Sequence, residues 1–197
     1  MKIRIERQRS LLWMTFLFLL LSGAVEAQSG EKINWRSVIT DHCTIQYQRL
    51  EDLEKFCEAI EYTPQKEGLK WALSDAKPGD LKGRVARKVD ALFVRAQEIL
   101  DMHKRMKNLN INLYANKRKL GVAYQGLFKK PCNVRSWYLY EFKTIYTNVS
   151  DVHAGMLAHE MGHHIVDHYL IIRPPRATAE ILARYVDKHL QDGGKKY

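Results

Sequence analysis

The chain has 197 residues, with 32 Lys+Arg against 22 Asp+Glu and a formal net charge of +10. No internal repeat or low-complexity run is present, and the basic residues are scattered without a DNA- or RNA-binding motif, so solenoid architectures and nucleic-acid partners are set aside. Cys43, Cys57 and Cys132 include no Cys-x-x-Cys pair, which removes thiol-based metal and redox sites from consideration.

The first 27 residues read as a signal peptide. Lys2, Arg4, Arg7 and Arg9 form a basic start, Leu11 to Leu21 is an apolar core short for a membrane span, and Val25-Glu26-Ala27 suits cleavage. A periplasmic or secreted location follows as the expectation. Uncleaved, this segment is an N-terminal anchor and the expected link to a membrane. It holds four of the basic and two of the acidic residues, so residues 28–197 keep a net charge of about +8 and enough length for a single domain. The basic runs Lys104-Arg105-Met106-Lys107, Lys117-Arg118-Lys119, Lys129-Lys130 and Lys195-Lys196 read first as solvated faces and second as attraction to anionic envelope surfaces or acidic substrates.

Cys43 to Tyr47 alternates as a strand, and Leu50 to Tyr62 reads as a helix with Leu53, Phe56, Cys57 and Ile60 on one side. A Cys43–Cys57 bridge that leaves Cys132 over, or three buried thiols, both fit this placement. Residues 63–78, with Pro64, Gly68 and Pro78, read as mostly irregular. Leu81 to Met106 carries apolar residues at helical period from Val85 to Met102 and predicts a long core helix. Leu109 to Tyr114 predicts a half-buried strand, Asn116 to Phe128 a short helix, and Ser136 to Tyr140 with Thr144 to Val149 a hairpin turning near Glu141 to Lys143. Asn148-Val149-Ser150 matches a glycosylation acceptor but reads as capping chemistry, with Ser150 or Asp151 as N-cap of a helix over 152–169. The element order predicts an α+β domain: a small mixed sheet with helices packed on one side.

The 152–169 helix contains His159-Glu160-Met161-Gly162-His163. Two histidines four apart lie on one helix face and can reach one metal ion, while Glu160 is offset to flank it as a base. Gly162 weakens the helix and suggests that another segment approaches closely. Catalytic zinc usually takes a third protein ligand. Val166 and Tyr169 stand where a Gly and a third His would complete a longer histidine motif. Asp167, His164 and His168 are aimed less well. Glu180 is the better candidate. It lies seventeen residues after His163, within 177–187, which reads as a second helix after Pro174-Pro175 and can pack side by side with the first, with Ala179 and Ala183 allowing close approach.

With these residues the chain resembles the gluzincins, the glutamate-ligand branch of the HExxH zinc peptidases, over roughly 109–190 and most closely their small, single-lobed members. The resemblance implies a zincin-like fold with an HExxH helix followed by a Glu-ligand helix, Zn2+ held by His159, His163 and Glu180, and Glu160 as general base. It implies hydrolysis of a peptide or protein substrate, laid along Thr144 to Val149 as edge strand. Several gluzincins have Asn just before the third ligand and Asp four residues after it. Here Ala179 and Arg184 stand there, so support for the histidines falls to Asp167 or Asp187, if to any residue. Larger members supply an oxyanion-stabilising Tyr or His from a second lobe; ten residues follow Asp187, leaving Tyr185, Tyr169 or His168 for that role. Two rival expectations stand beside a peptidase: a non-catalytic peptide-binding or structural module on a zincin scaffold, and a metal-handling protein using His159, His163, His164 and His168.

Overall fold

The two alternating runs Cys-Thr-Ile-Gln-Tyr and Leu-Asn-Ile-Asn-Leu-Tyr lie side by side within a mixed five-stranded sheet in the computed structural model, which describes residues 34–62, 80–190 and 192. In chain order the elements are β1 (Arg36–Ile39), β2 (Cys43–Tyr47), α1 (Leu50–Ala59), α2 (Leu81–Leu100), β3 (Leu109–Tyr114), α3 (Lys117–Phe128), β4 (Ser136–Leu139), a 3-10 turn (Tyr140–Phe142), β5 (Thr144–Asn148), α4 (Ala154–Tyr169) and α5 (Arg176–His189). The expected α+β class holds for these residues. The predicted signal segment and the irregular 63–78 stretch lie outside the described residues.

The strand order is β1-β2-β3-β5-β4, with β2–β3 and β3–β5 parallel and the two outer pairs antiparallel. Register aligns Val38, Ile45, Ile111, Ile145 and Tyr138 in one row across all five strands. Ile45, Ile111 and Ile145 are completely buried, and the row faces a layer of α1, α2, α4 and α5 that shares its core. Because side chains alternate along a strand, Ser136 stands on the same face of β4 as Tyr138. Both are thereby aimed at α4.

Four expectations change. The helices are not all on one side: α3 packs on the opposite face, where Leu120 meets Tyr114 and Tyr146 in a second, aromatic cluster with Trp35 and Trp137. The long helix ends at Leu100, not Met106. Asp101 adopts a left-handed conformation (φ 52°) and caps it, its N–H bonding to Gln97 and Glu98 carbonyls. The apolar pattern misled because Met106 remains buried after the chain has left the helix. Likewise α1 stops at Ala59 while Ile60 and Tyr62 stay in the core. Finally, β5 is an interior strand and β4 is the edge. All five β5 residues are buried between neighbours, whereas those of β4 are half-exposed. The predicted hairpin is present, but which of its strands lies outermost depends on pairing with β3. β1 was not anticipated, since only Val38 of its four residues is buried and the alternation is too short to register.

The cysteines are free thiols: Cys43 and Cys57 buried, Cys132 half-buried. Burial, then the Asp90 carboxylate, pushes the Cys43 thiol well above its ordinary value.

Candidate metal centre and cleft

α4 begins at Ala154 because the His153 side chain caps it, Nδ1 accepting from the Met156 N–H at 3.1 Å. Neither Ser150 nor Asp151 caps it, contrary to expectation. Those two instead serve a turn around Asn148, whose side-chain oxygen accepts from the Ser150 N–H and whose amide donates to Asp151. Asn148 is fully buried, in keeping with a structural role for that tripeptide. From its cap α4 runs without a break to Tyr169, with Leu157, Ala158, Met161 and Ile165 in the core.

The α4–α5 contact decides the site. A Cβ placed on Gly162 would meet Ala183 Cα at 3.2 Å and Val186 Cγ2 at 3.3 Å. Hydrogen at position 162 and the small side chains at Ala179 and Ala183, both buried, let the backbones come this close, and a Cβ at 162 would have to push Ala183 back by a few tenths of an ångström. Glu180 is thereby carried back to the histidine pair. Its Oε2 lies 3.4 Å from His163 Nε2 and 3.8 Å from His159 Nε2, and the three donor atoms all fall within 4.8 Å of one another. Arg184 Nε donates to the other carboxylate oxygen, Oε1, at 2.9 Å. Arg184 therefore orients the third donor and not a histidine.

Electrostatics suit a cation. Burial lowers the pKa of His159, opposed by the Glu180 and Asp187 carboxylates; burial and then His159 lower that of His163. Both rings are thus held neutral, with lone pairs available at neutral pH. Burial works against the Glu180 carboxylate, but Arg184, His159 and His163 outweigh it and keep it ionised. Two neutral imidazoles and one carboxylate form the donor set that catalytic zinc takes, so the residues present fit the ion.

Glu160 points elsewhere, into the seam between α4 and β4, and is 7% exposed. Burial raises its pKa to about 7, against the pull of the Ser136 hydroxyl and the Tyr138 backbone, with Glu180 adding to the rise. Ser136 Oγ is itself buried and completes no hydrogen bond of normal geometry, so its hold on Glu160 is weak. His159, Glu160, His163 and Glu180 all open on a cleft of about 810 Å³. Ser136 to Tyr140 line one wall, Tyr124 and Phe128 of α3 extend it, and Asp167, Arg173, Pro174 and Arg176 line the other.

The two supporting carboxylates divide between the histidines. Asp187 Oδ1 occupies the space where a Cβ on Gly155 would sit, one turn before His159, and its charge acts on His159. Asp167 acts on His163 and is held by Arg173, whose Nε donates to it at 3.1 Å. His164 and His168 turn away from the donor set. The Tyr138 hydroxyl bridges them, at 3.1 Å from His164 Nδ1 and 3.0 Å from His168 Nε2. Among the described residues the only group of three metal-binding donors is His159, His163 and Glu180, so the wider histidine cluster does not assemble. Tyr169, Tyr185 and His168 do not line the cleft, and Tyr185 packs at a tilt against the His189 ring. Tyr140, Arg173 and Arg176 do line it. Sequence reasoning missed these three: Arg173 and Arg176 flank a segment that shows only as a Pro-Pro break, and Tyr140 belongs to the hairpin turn, which nothing local ties to the cleft. Comparison with family models, curated proteins and solved structures finds no match for this chain.

Proposed function

We propose that the chain is a zinc-dependent peptidase with a zincin-like fold, cleaving peptide or protein substrates outside the cytoplasm. The observation that carries this reading is the convergence of His159 Nε2, His163 Nε2 and Glu180 Oε2 beside a buried carboxylate, in a cleft bounded by an edge strand. Zinc bound by those three residues would polarise a scissile carbonyl and acidify water. The Glu160 carboxylate takes the water proton and delivers it to the leaving amine nitrogen. A pKa of about 7 suits it to accept and release a proton near neutrality. Among the described residues β4 bonds to β5 on one side only, so its outer backbone groups would receive an extended peptide, added to the sheet as a further strand. β4, not Thr144 to Val149, is the strand that would receive it.

Three proteins test this together: wild type, Glu160→Gln and Glu180→Ala. We expect one zinc per chain in wild type, one in Glu160→Gln, and at least about a hundredfold weaker zinc binding in Glu180→Ala. Cleavage of a peptide library should occur in wild type alone, stop with a chelator and return with zinc. Equal turnover by Glu160→Gln would remove the base assignment. Zinc binding without cleavage of any peptide would instead favour a peptide-binding module on the same scaffold.

A further inference from the structure

Two loops at one end of the cleft expose apolar side chains that no described residue covers. In the α4–α5 connection Ile171 and Ile172 are 103% and 82% exposed, flanked by the partly exposed Tyr169 and Leu170. In the β4–β5 turn Phe142 is 55% exposed. The loops are joined: the Arg173 guanidinium stacks 4.1 Å above the Tyr140 ring while its Nε holds the buried Asp167. That anchoring, together with Pro174 and Pro175, makes the isoleucine tip a fixed feature of the surface. A single exposed isoleucine is ordinary, but a contiguous apolar tip on a fixed loop marks a contact surface.

Its charge surroundings identify the occupant. Lys104 Nζ bonds to the His168 carbonyl at 3.0 Å, which brings the exposed Lys104, Arg105 and Lys107, either side of the buried Met106, to the base of the tip. Lys143 lies close enough to act on both His164 and His168. Arg173 and Arg176 follow the tip directly. Arg173 is taken up by Asp167, which leaves Lys104, Arg105, Lys107, Lys143 and Arg176 against the Glu141 and Asp101 carboxylates. A protruding apolar tip ringed by cations matches an anionic lipid surface: the isoleucines enter the acyl boundary and the cations meet headgroup phosphates. A protein partner of ordinary character would need a broad apolar face, and these cations would leave it unmatched.

We propose that the tip at Leu170–Ile172 and the turn at Tyr140–Lys143 form a docking surface for an anionic bilayer, holding the cleft beside the membrane. No helix among the described residues is long and apolar enough to cross a membrane, so this contact is interfacial. It is independent of the peptidase reading.

The test uses the full chain, with an environment-sensitive dye on Ile171→Cys in a Cys132→Ser background and, as a control, on Glu51→Cys, which is exposed on α1. Vesicles are phosphatidylcholine alone or mixed with phosphatidylglycerol, with a quencher in the acyl chains. We expect the dye at 171 to shift blue and be quenched on mixed vesicles only, while the dye at 51 stays in water even if the N-terminal segment binds lipid. Arg105→Glu with Lys107→Glu, both exposed, should raise the lipid concentration for half-maximal signal at least about tenfold with unchanged thermal melting. A dye at 171 that stays in water on vesicle-bound chains overturns the proposal. So does a blue shift without lipid that grows with protein concentration, which would assign the tip to self-association.

Discussion

Tyr138 has one hydroxyl proton and two histidines to satisfy. It can donate to one ring nitrogen and accept from the other, so His164 and His168 must hold complementary tautomers. Burial keeps the phenol protonated, its pKa raised well above the ordinary value. Tyr138→Phe leaves His164, 2% exposed, with an unpartnered Nδ1, and should cost about 1–3 kcal/mol. Urea unfolding measures this, and an unshifted midpoint would mean the bridge contributes nothing. Residues 159, 160 and 163 were legible in the sequence because helix geometry is local: four residues return a side chain to the same face. The partners Ser136 and Tyr138 were not legible. They meet Glu160 and His164 only because β4 docks on α4, and nothing in Ser-Trp-Tyr-Leu states which neighbour the strand will have.

At the level of elements, the candidate site is a consequence of how closely α4 and α5 pack. Glu180 could be assigned from sequence because Pro174-Pro175 fix where the second helix starts, and because a glycine in α4 and two alanines in α5 announce a close crossing. The face taken by α3 could not be assigned, since its stripe is weak and only Leu120 is buried. The crossing predicts a remote effect. Gly162→Ala gains about 1 kcal/mol of helix propensity and must displace Ala183 by a few tenths of an ångström, so its effect on stability is small. Gly162→Val adds two methyl groups with nowhere to go and should cost about 1–3 kcal/mol by overpacking. Pushing α5 outward also moves Glu180 from the histidines, so zinc affinity should fall together with stability although residue 162 is no ligand. A competition titration with a zinc chelator reads this. Full affinity in a destabilised Gly162→Val would mean that Glu180 reaches the histidines without close helix contact.

Across the molecule, buried ionisable groups set opposing limits on stability in the metal-free chain. His164 is lowered from 6.5 to about 3, chiefly by burial, then by His168 and Lys143. The unfolded chain therefore takes a proton near pH 6.5 that the folded chain refuses until about 3, and stability is lost as pH falls through that range. His159 and His163, lowered also by burial first, act in the same sense. Glu160 acts in the other. Its folded pKa of about 7 lies above the ordinary 4.5, so the folded chain keeps a proton the unfolded chain has released, and stability is lost as pH rises from 4.5 to 7. Between 4.5 and 6.5 His164 and Glu160 act in opposite senses; from 6.5 to 7 Glu160 turns the curve down. Glu160→Gln isolates that arm. The variant should match wild type below pH 4.5, where both side chains are uncharged. Once pH exceeds 7 it should be more stable by about 3 kcal/mol, because a tenfold difference in proton affinity between folded and unfolded chains is worth about 1.4 kcal/mol. Urea unfolding in a chelator at an acidic and an alkaline pH decides it. A constant difference at both would mean the substitution acts through packing, not charge. A gain confined to the alkaline side, in a variant that no longer hydrolyses peptides, would show the folded state held under strain by the carboxylate that the proposed chemistry requires.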